Sequence, residues 1–401
     1  MNGLAVTCPS CGQAVGNEPF YCCAAQPANS VILCQTLEEA TSISRGDVSL
    51  VHCSACGFIF NAAYDPQICI YNRKYEETQT HSDVFNTFNH ELASTLLNSY
   101  RLRNKTILEI GCGKGDFLNL LCSMGNNRGI GYDPSYVAER SQAVLSENVT
   151  FYKQLFPEKY EGEQADCIIC KMTLEHLPDV HHFLGLVRKS IAPGNRPTVF
   201  FQVPDVRPIL EESRFWDIYY EHCSYFTRES LVTLFQQSGF KVLSVTNGYD
   251  HQYLMIEALP KDTPATESIE TDQGHHVDSL VDSFSVAVRQ HIDRWQQLLQ
   301  SWHAQNKKVV LWGGGSKAVA FLATLKCPAT VNSVVDINPH KQGRYLPGSG
   351  HRVVAPESLV NVQPDIILAM NPVYLEEIRN CLTSLAIECE LFPMSNEHQE
   401  F

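Results

Sequence analysis

The sequence predicts an α/β fold: a central Rossmann-like sheet, preceded by a small metal-binding module and followed by a second, smaller Rossmann-like α/β domain. Three observations predict it. Two Cys-x-x-Cys pairs stand near the N-terminus, at Cys8/Cys11 and Cys53/Cys56. Beyond residue 105, apolar strand-like runs alternate with helical stretches, the pattern of a parallel sheet covered on both faces. Twice, at Ile107–Phe117 and again at Lys308–Ser316, an apolar strand runs into a glycine-rich turn and then a helix. A chain of 401 residues also exceeds what one core usually serves. The expected division is a metal module over 1–75, the main sheet domain over 76–260, and a linker, long helix and second sheet domain over 261–401.

Each cysteine pair, Cys8-Pro9-Ser10-Cys11-Gly12 and Cys53-Ser54-Ala55-Cys56-Gly57, aims two thiolates at one point, and the glycine relieves the turn behind it. Two such knuckles make a closed tetrahedral Zn²⁺ site, structural because no position stays open. The residues between them must fold as a small β-rich insert. A redox pair or free thiols are the alternatives, and Cys22, Cys23, Cys34 and His52 are spare ligands. Sixteen cysteines could suggest a disulfide scaffold, but Cys112, Cys122, Cys167 and Cys170 lie inside βα patterns, where cysteine serves as a small apolar residue. The metal reading points to a reducing, cytoplasmic setting. A net charge of −14 argues against nucleic acid as a partner. No apolar run reaches membrane-spanning length, so no membrane partner is expected.

Val84, Phe85, Phe88, Leu92, Leu96 and Leu97 form a stripe that predicts an amphipathic helix over 83–100. Strands are then expected near 106–110, 129–132, 149–152, 166–170 and 198–203, with a helix ending at Gly239 and two closing strands at Val242–Val245 and Tyr253–Ala258. In the first glycine turn the order is Glu109-Ile110-Gly111-Cys112-Gly113-Lys114-Gly115, and Asp133 closes the next strand. Glycines let backbone approach a ligand, and an acid at that distance grips two ribose hydroxyls. A βα turn without ligand is the plainer alternative. The acid-x-Gly-x-Gly-x-Gly pattern resembles the S-adenosylmethionine (SAM) loop of class I methyltransferases. That resemblance implies a donor site at Glu109, Gly111, Cys112, Gly113, Asp133, Pro134 and Lys171.

Residues 259–275 are polar and contain proline, and read as a linker. A long helix follows from Val277 to about Gln305, with Leu280, Phe284, Val288, Ile292, Trp295, Leu299 and Trp302 on one stripe. Its heptad-like spacing is too short for a coiled coil, so a packing helix is expected. The second βα unit, Lys308-Val309-Val310-Leu311-Trp312-Gly313-Gly314-Gly315-Ser316, is followed by Val334-Val335-Asp336-Ile337-Asn338. Ala318 stands where a dinucleotide fingerprint would carry its third glycine, a tolerated variant. Gly313, Gly315, Ser316, Asp336, Asn338 and Lys341 are therefore candidates to hold a substrate's nucleotide; a structural turn is the alternative.

Candidate chemistry lies in two segments. Trp216–Thr227 carries polar and aromatic residues without a clean period, as a lid or a connector would. Within it, His222 beside Glu221 could act as a general base, or be a surface or packing feature. Glu175-His176-Leu177-Pro178 follows the fourth strand, at the sheet edge where open α/β folds bind ligands, so His176 either faces the donor or caps a helix. Tyr75 could fold over the pocket or simply pack.

The paired knuckles, Leu108–Phe117, Tyr219–Phe226 and the stretch Val335–Gly348 together resemble the three-domain SAM-dependent deoxysugar C-methyltransferases. The resemblance spans nearly the whole chain. It implies an N-terminal zinc module, a SAM domain and a C-terminal Rossmann-like domain. It further implies that His222 removes a proton beside a ketone of a nucleotide-linked sugar, with Glu221, His176, Tyr75 and Tyr219 lining the pocket. Methyl transfer to oxygen or nitrogen of another small natural product, or a non-catalytic SAM- or nucleotide-binding protein, are the competing readings. Oligomeric state and acceptor stay open.

Overall fold

The computed structural model describes residues 6–16, 18–140, 148–261, 274–326 and 328–394. Its strands are β1 (Val6–Thr7), β2 (Ala14–Val15), β3 (Tyr21–Pro27), β4 (Arg45–His52), β5 (Ile59–Asn61), β6 (Thr106–Ile110), β7 (Arg128–Tyr132), β8 (Val149–Tyr152), β9 (Cys167–Lys171), β10 (Thr198–Pro204), β11 (Ser224–Tyr225), β12 (Phe240–Gly248), β13 (Tyr253–Pro260), β14 (Val309–Trp312), β15 (Ser333–Val335), β16 (Val353–Val354), β17 (Ile366–Ala369) and β18 (Glu390–Pro393). Seven of them form the class I SAM-methyltransferase sheet expected from the sequence, in the order β12-β13-β10-β9-β6-β7-β8. Strands β10, β9, β6, β7 and β8 run parallel, while β13 is antiparallel to both β10 and β12.

The apolar runs dictate this. Ile107, Ile169, Cys167 and Phe200 face the helices Asp83–Ser99 and Asp116–Gly125, whose Leu92, Leu96, Phe117, Leu118 and Leu121 cover them. Leu108, Ile110, Ile168, Cys170 and Phe201 face the other way, against Phe183, Leu184, Leu231 and Phe235. Both faces of a parallel sheet are thus buried, which is why its strands read as continuous apolar runs. Helix Asp83–Ser99 starts on the side chain of Ser82, which accepts from the Phe85 amide.

The last third of the chain forms a separate parallel sheet, β16-β15-β14-β17-β18. The long helix spans Gly274–Ala304. Val281, Phe284, Val288, Trp295, Leu299 and Trp302 on it are buried in one core with Tyr21 and Leu50 of the N-terminal unit, Phe215 and Trp216, and Phe321 of the C-terminal unit. It is a packing helix that ties the units together, as its short heptad run suggested. The expected linker begins later than residue 259, because Leu259 and Pro260 pair with Lys241 and Phe240 at the end of β13. Residues 262–273 of that linker lie outside the described residues.

The N-terminal unit is not closed within 1–75. Its sheet runs β11-β5-β4-β3, and β11 comes from the segment read as a lid or connector. Ser224 pairs with Phe60 and Tyr225 with Ile59. Sequence periodicity could not show this, since a two-residue strand has no period.

Candidate active site

The glycine loop after β6 takes the shape its sequence requires. Gly111, Gly113 and Gly115 all have positive φ (72°, 54° and 84°), a region that costs a side-chain-bearing residue. A Cβ on Gly111 would lie 2.0 Å from Thr173 Oγ1. The Gly113 amide donates to Asp133 Oδ2 at 2.9 Å, and the Ser135 amide to Oδ1 at 2.6 Å. Asp133 and Pro134 remain half-exposed. Each Asp133 oxygen keeps a lone pair for a ribose hydroxyl, so loop and acid fit an adenosyl group.

Glu109 and Lys171 sit behind this loop, on adjacent parts of the sheet. Lys171 Nζ donates to Asn89 Oδ1 at 2.8 Å and lies 3.5 Å from the centre of the Phe117 ring. Burial pushes the Glu109 carboxyl up and the Lys171 ammonium down, each partly restored by the other's charge. Among the described residues, Glu109 Oε2 has no hydrogen-bond partner. Cys112 is buried. The sequence reading missed Glu77, whose carboxylate rests against Gly113 and reaches Lys114 Nζ at 3.3 Å. Burial pushes it up to about 7.

Beside the loop, His222, Glu221, His176, Tyr75 and Tyr219 converge from three parts of the chain. Tyr75, Glu221 and His222 are buried, Tyr219 and His176 half-buried; Glu221 is 1 % and His222 6 % exposed, so neither is a surface residue. The His222 ring stands 4.2 Å from that of Tyr219 and 4.7 Å, edge-on, from that of His176. His176 Nδ1 lies 3.0 Å from the Glu221 backbone oxygen, which can only accept. The proton is therefore on Nδ1, and Nε2 is left as an acceptor. Tyr71, unnoticed in the sequence, also meets this nitrogen through its hydroxyl at 3.1 Å.

The Glu221 carboxylate points away from His222. It accepts from Tyr75 Oη (3.0 Å), the Ser30 amide (3.1 Å) and Asn29 Nδ2 (3.3 Å), and also from the Ser30 hydroxyl. Asn29 and Ser30 come from the insert between the cysteine knuckles, and no sequence signal marked them. Burial is the main reason His222 is held well below the usual imidazole range; His176 and the Lys317 ammonium add to it. His176 is lowered by burial and partly restored by Glu221.

The second glycine loop faces this cluster at one point. The Ser316 and Ser30 hydroxyls are hydrogen-bonded at 2.7 Å, and next to them Lys317 pairs with Asp217 at 2.5 Å. Gly313 has φ of 112° and Gly315 packs near Lys341 Nζ. Asp336 is engaged locally: it accepts from the amides of Gly314 (2.9 Å) and Asn338 (2.8 Å) and pairs with Lys341 (3.2 Å). Asn338 donates to Glu76 at 2.9 Å, tying this unit to the strap that carries Tyr75. A cleft of about 470 Å³ opens between that strap and the helices Asp83–Ser99 and Asp116–Gly125, lined among others by His81, Asn119, Arg140 and His340.

At the far end, the sulfurs of Cys8, Cys11, Cys53 and Cys56 all lie within 4.8 Å of one another. Cys8–Cys56 and Cys11–Cys53 are each 3.7 Å apart. A tetrahedron with metal–sulfur bonds of about 2.3 Å has edges of about 3.8 Å, so the four thiols fit Zn²⁺. The spare ligands are elsewhere: Cys23 meets Thr324, Cys34 meets the Ile32 carbonyl, Cys22 meets Ser49, and His52 meets Asp278.

Two family models match this chain in succession, a methyltransferase domain over residues 81–245 and a C-methyltransferase C-terminal domain over 261–388. Among curated proteins, the C-methyltransferase NovU of Streptomyces niveus is 26 % identical over 292 residues, covering 68 % of this chain and 67 % of that one. The ubiquinone biosynthesis O-methyltransferase of Hydrogenovibrio crunogenus is 30 % identical over 105 residues, 25 % of this chain and 43 % of that one. Among solved structures, the 1,6-didemethyltoxoflavin-N1-methyltransferase of Burkholderia thailandensis is similar at 18 % identity and a TM-score of 0.35, covering 45 % of this chain and 82 % of that one. The chain is a SAM-dependent methyltransferase. The second family model and the relative matched over 292 residues support a C-methyltransferase.

Proposed function

We propose that the protein transfers a methyl group to carbon beside the ketone of a nucleotide-linked sugar or a related small metabolite, with His222 as the base. The observation that carries this reading is the buried cluster around His222. An imidazole held neutral by burial, next to Tyr219 and His176 and beside the donor loop, is the group such a reaction needs. A carbon next to a ketone becomes nucleophilic only as its enolate, which demands a positioned base and donors to the developing oxyanion. His222 takes the proton. Tyr219 would offer a hydroxyl donor to that oxyanion, and Tyr75, whose proton goes to Glu221, would line the pocket. Bound SAM would supply an electrophilic methyl group for in-line displacement, where alignment contributes most. Asp133 and the loop of Gly111 and Gly113 would hold its adenosyl end.

The substrate's nucleotide would rest between the two glycine loops, near Ser316 and Gly315, with Asp336, Asn338 and Lys341 shaping that wall. Zinc held by Cys8, Cys11, Cys53 and Cys56 would be structural, and its thiolates suit a reducing cytoplasm. The net charge of −14 fits a small-molecule partner better than nucleic acid. Among the described residues no helix is long and apolar enough to cross a membrane. The division at residues 75 and 260 is retained as a proposal for how the chain is organised.

Carbon-13 NMR of the product formed from a nucleoside-diphosphate 4-keto sugar and methyl-labelled SAM tests the reading. A new C–CH₃ resonance is expected. An O–CH₃ or N–CH₃ resonance would replace it with the competing reaction.

A further inference from the structure

Among the described residues, Glu175 is the one carboxylate of the site with nothing to hold. It sits in the short helical turn Leu174–His176 that follows β9, is 1 % exposed, and neither of its oxygens has a hydrogen-bond partner among those residues. A buried carboxylate without a donor is costly, so its position calls for one. Within its reach are two imidazoles: a Glu175 oxygen and one nitrogen each of His176 and His222 all lie within 4.8 Å of one another. His176 already gives its Nδ1 proton to the Glu221 backbone oxygen, and its remaining nitrogen can only accept. His222 has no such commitment. Glu221, the acid adjacent in sequence, is saturated by Tyr75, Ser30 and Asn29.

We propose that Glu175, not Glu221, is the positioning residue of the base: its carboxylate accepts the N–H of one ring nitrogen of His222 and so turns the other nitrogen, lone pair outward, to the acceptor carbon. This rests on the reading of His222 as base and extends it. In the step, the acceptor C–H bond breaks and an N–H bond forms on His222. The electron pair stays on the substrate as its enolate, and the carboxylate faces the imidazolium. Burial pushes Glu175 up to about 8. Below that pH its carboxyl is protonated, a weaker neutral acceptor with no charge to face the imidazolium, so activity rises as pH rises through the carboxyl's titration. The groups facing the pair are His176, Tyr219, Lys317, Tyr253 and the thiols of Cys170 and Cys223.

The test uses the full chain labelled with ¹⁵N-histidine, and Glu175→Gln, Glu175→Asp and His222→Gln variants. The His222 resonances are identified by their loss in His222→Gln. Above pH 8.5 the wild type should show a single His222 tautomer, and Glu175→Gln a mixture with an apparent pKa moved by about one unit or more. A mixed tautomer in the wild type itself overturns the proposal even if Glu175→Gln fails to fold. So does selective broadening of the His176 and His222 signals by stoichiometric Mn²⁺, which would make the trio a metal site. Turnover of a nucleoside-diphosphate 4-keto sugar then separates the two claims. Glu175→Gln should lower kcat by about 10- to 100-fold with KM unchanged and remove the rise toward pH 8, and Glu175→Asp should regain part of it. If His222→Gln keeps full turnover, the base reading fails; if His222→Gln is inactive while Glu175→Gln is unchanged, only the role of Glu175 falls.

Discussion

At the scale of single residues, Tyr75 shows how the site holds charge without solvent. Its hydroxyl donates to Glu221, and its backbone oxygen accepts from Lys114 Nζ at 2.7 Å, so one residue joins the glycine loop to the His222 cluster. Burial keeps the phenol well above its usual range, so it acts as a donor at any working pH. Tyr75→Phe keeps the ring and the backbone contact and removes only the O–H. Leaving a buried acceptor short of a donor costs about 1–3 kcal/mol. Initial rates should therefore show kcat reduced by about 10- to 100-fold, with S-adenosylhomocysteine affinity by calorimetry unchanged. Wild-type turnover would remove Tyr75 from the site.

At the scale of elements, the donor loop is set by the strand-to-helix turn after β6, and its glycines are not interchangeable. Gly111 combines φ of 72° with a side wall formed by Thr173. Gly111→Ala must strain the backbone and displace Thr173, at about 1–3 kcal/mol. Thermal unfolding should drop by several degrees, and S-adenosylhomocysteine should bind at least about tenfold more weakly. Unchanged binding would show that the loop does not meet the donor. These elements were legible in the chain, because glycine spacing, apolar runs and the acid of β7 are local signals. β11 was not, since its two residues become a strand only through Phe60 and Ile59 of a distant knuckle. Likewise the partnership of His222 with Glu221 suggested by adjacency did not survive packing. The two residues sit in a turn closed by the His222 amide on the Tyr219 carbonyl, and from it Glu221 reaches Ser30 and Tyr75 while His222 packs on His176 and Tyr219.

At the scale of the whole molecule, the cysteine unit and the His222 cluster are mechanically one. Cys53 and Cys56 flank the turn between β4 and β5, β5 holds β11, and β11 begins two residues after His222. The insert between the knuckles also supplies Asn29 and Ser30. Cys53→Ser should abolish bound zinc by elemental analysis. It should also cost most of the turnover while leaving S-adenosylhomocysteine affinity within about twofold, because the donor loop belongs to the other sheet. A zinc-free variant with normal turnover would break that link. The long helix Gly274–Ala304 makes the assembly rigid by packing Phe284, Trp295 and Leu299 into a core shared by all three parts.

The sequence by itself determined the central sheet, the donor loop with its acid, the paired knuckles and the second glycine turn. Each is written in residues close together, whose spacing fixes backbone geometry. Only the tertiary structure decided which acid meets which imidazole, that the N-terminal sheet is completed by residues 224–225, and that Ser30 bridges Glu221 to Ser316. Those contacts join residues tens to hundreds of positions apart, and nothing local encodes them: they exist because three parts of the chain share one core around the long helix and bury polar groups between them.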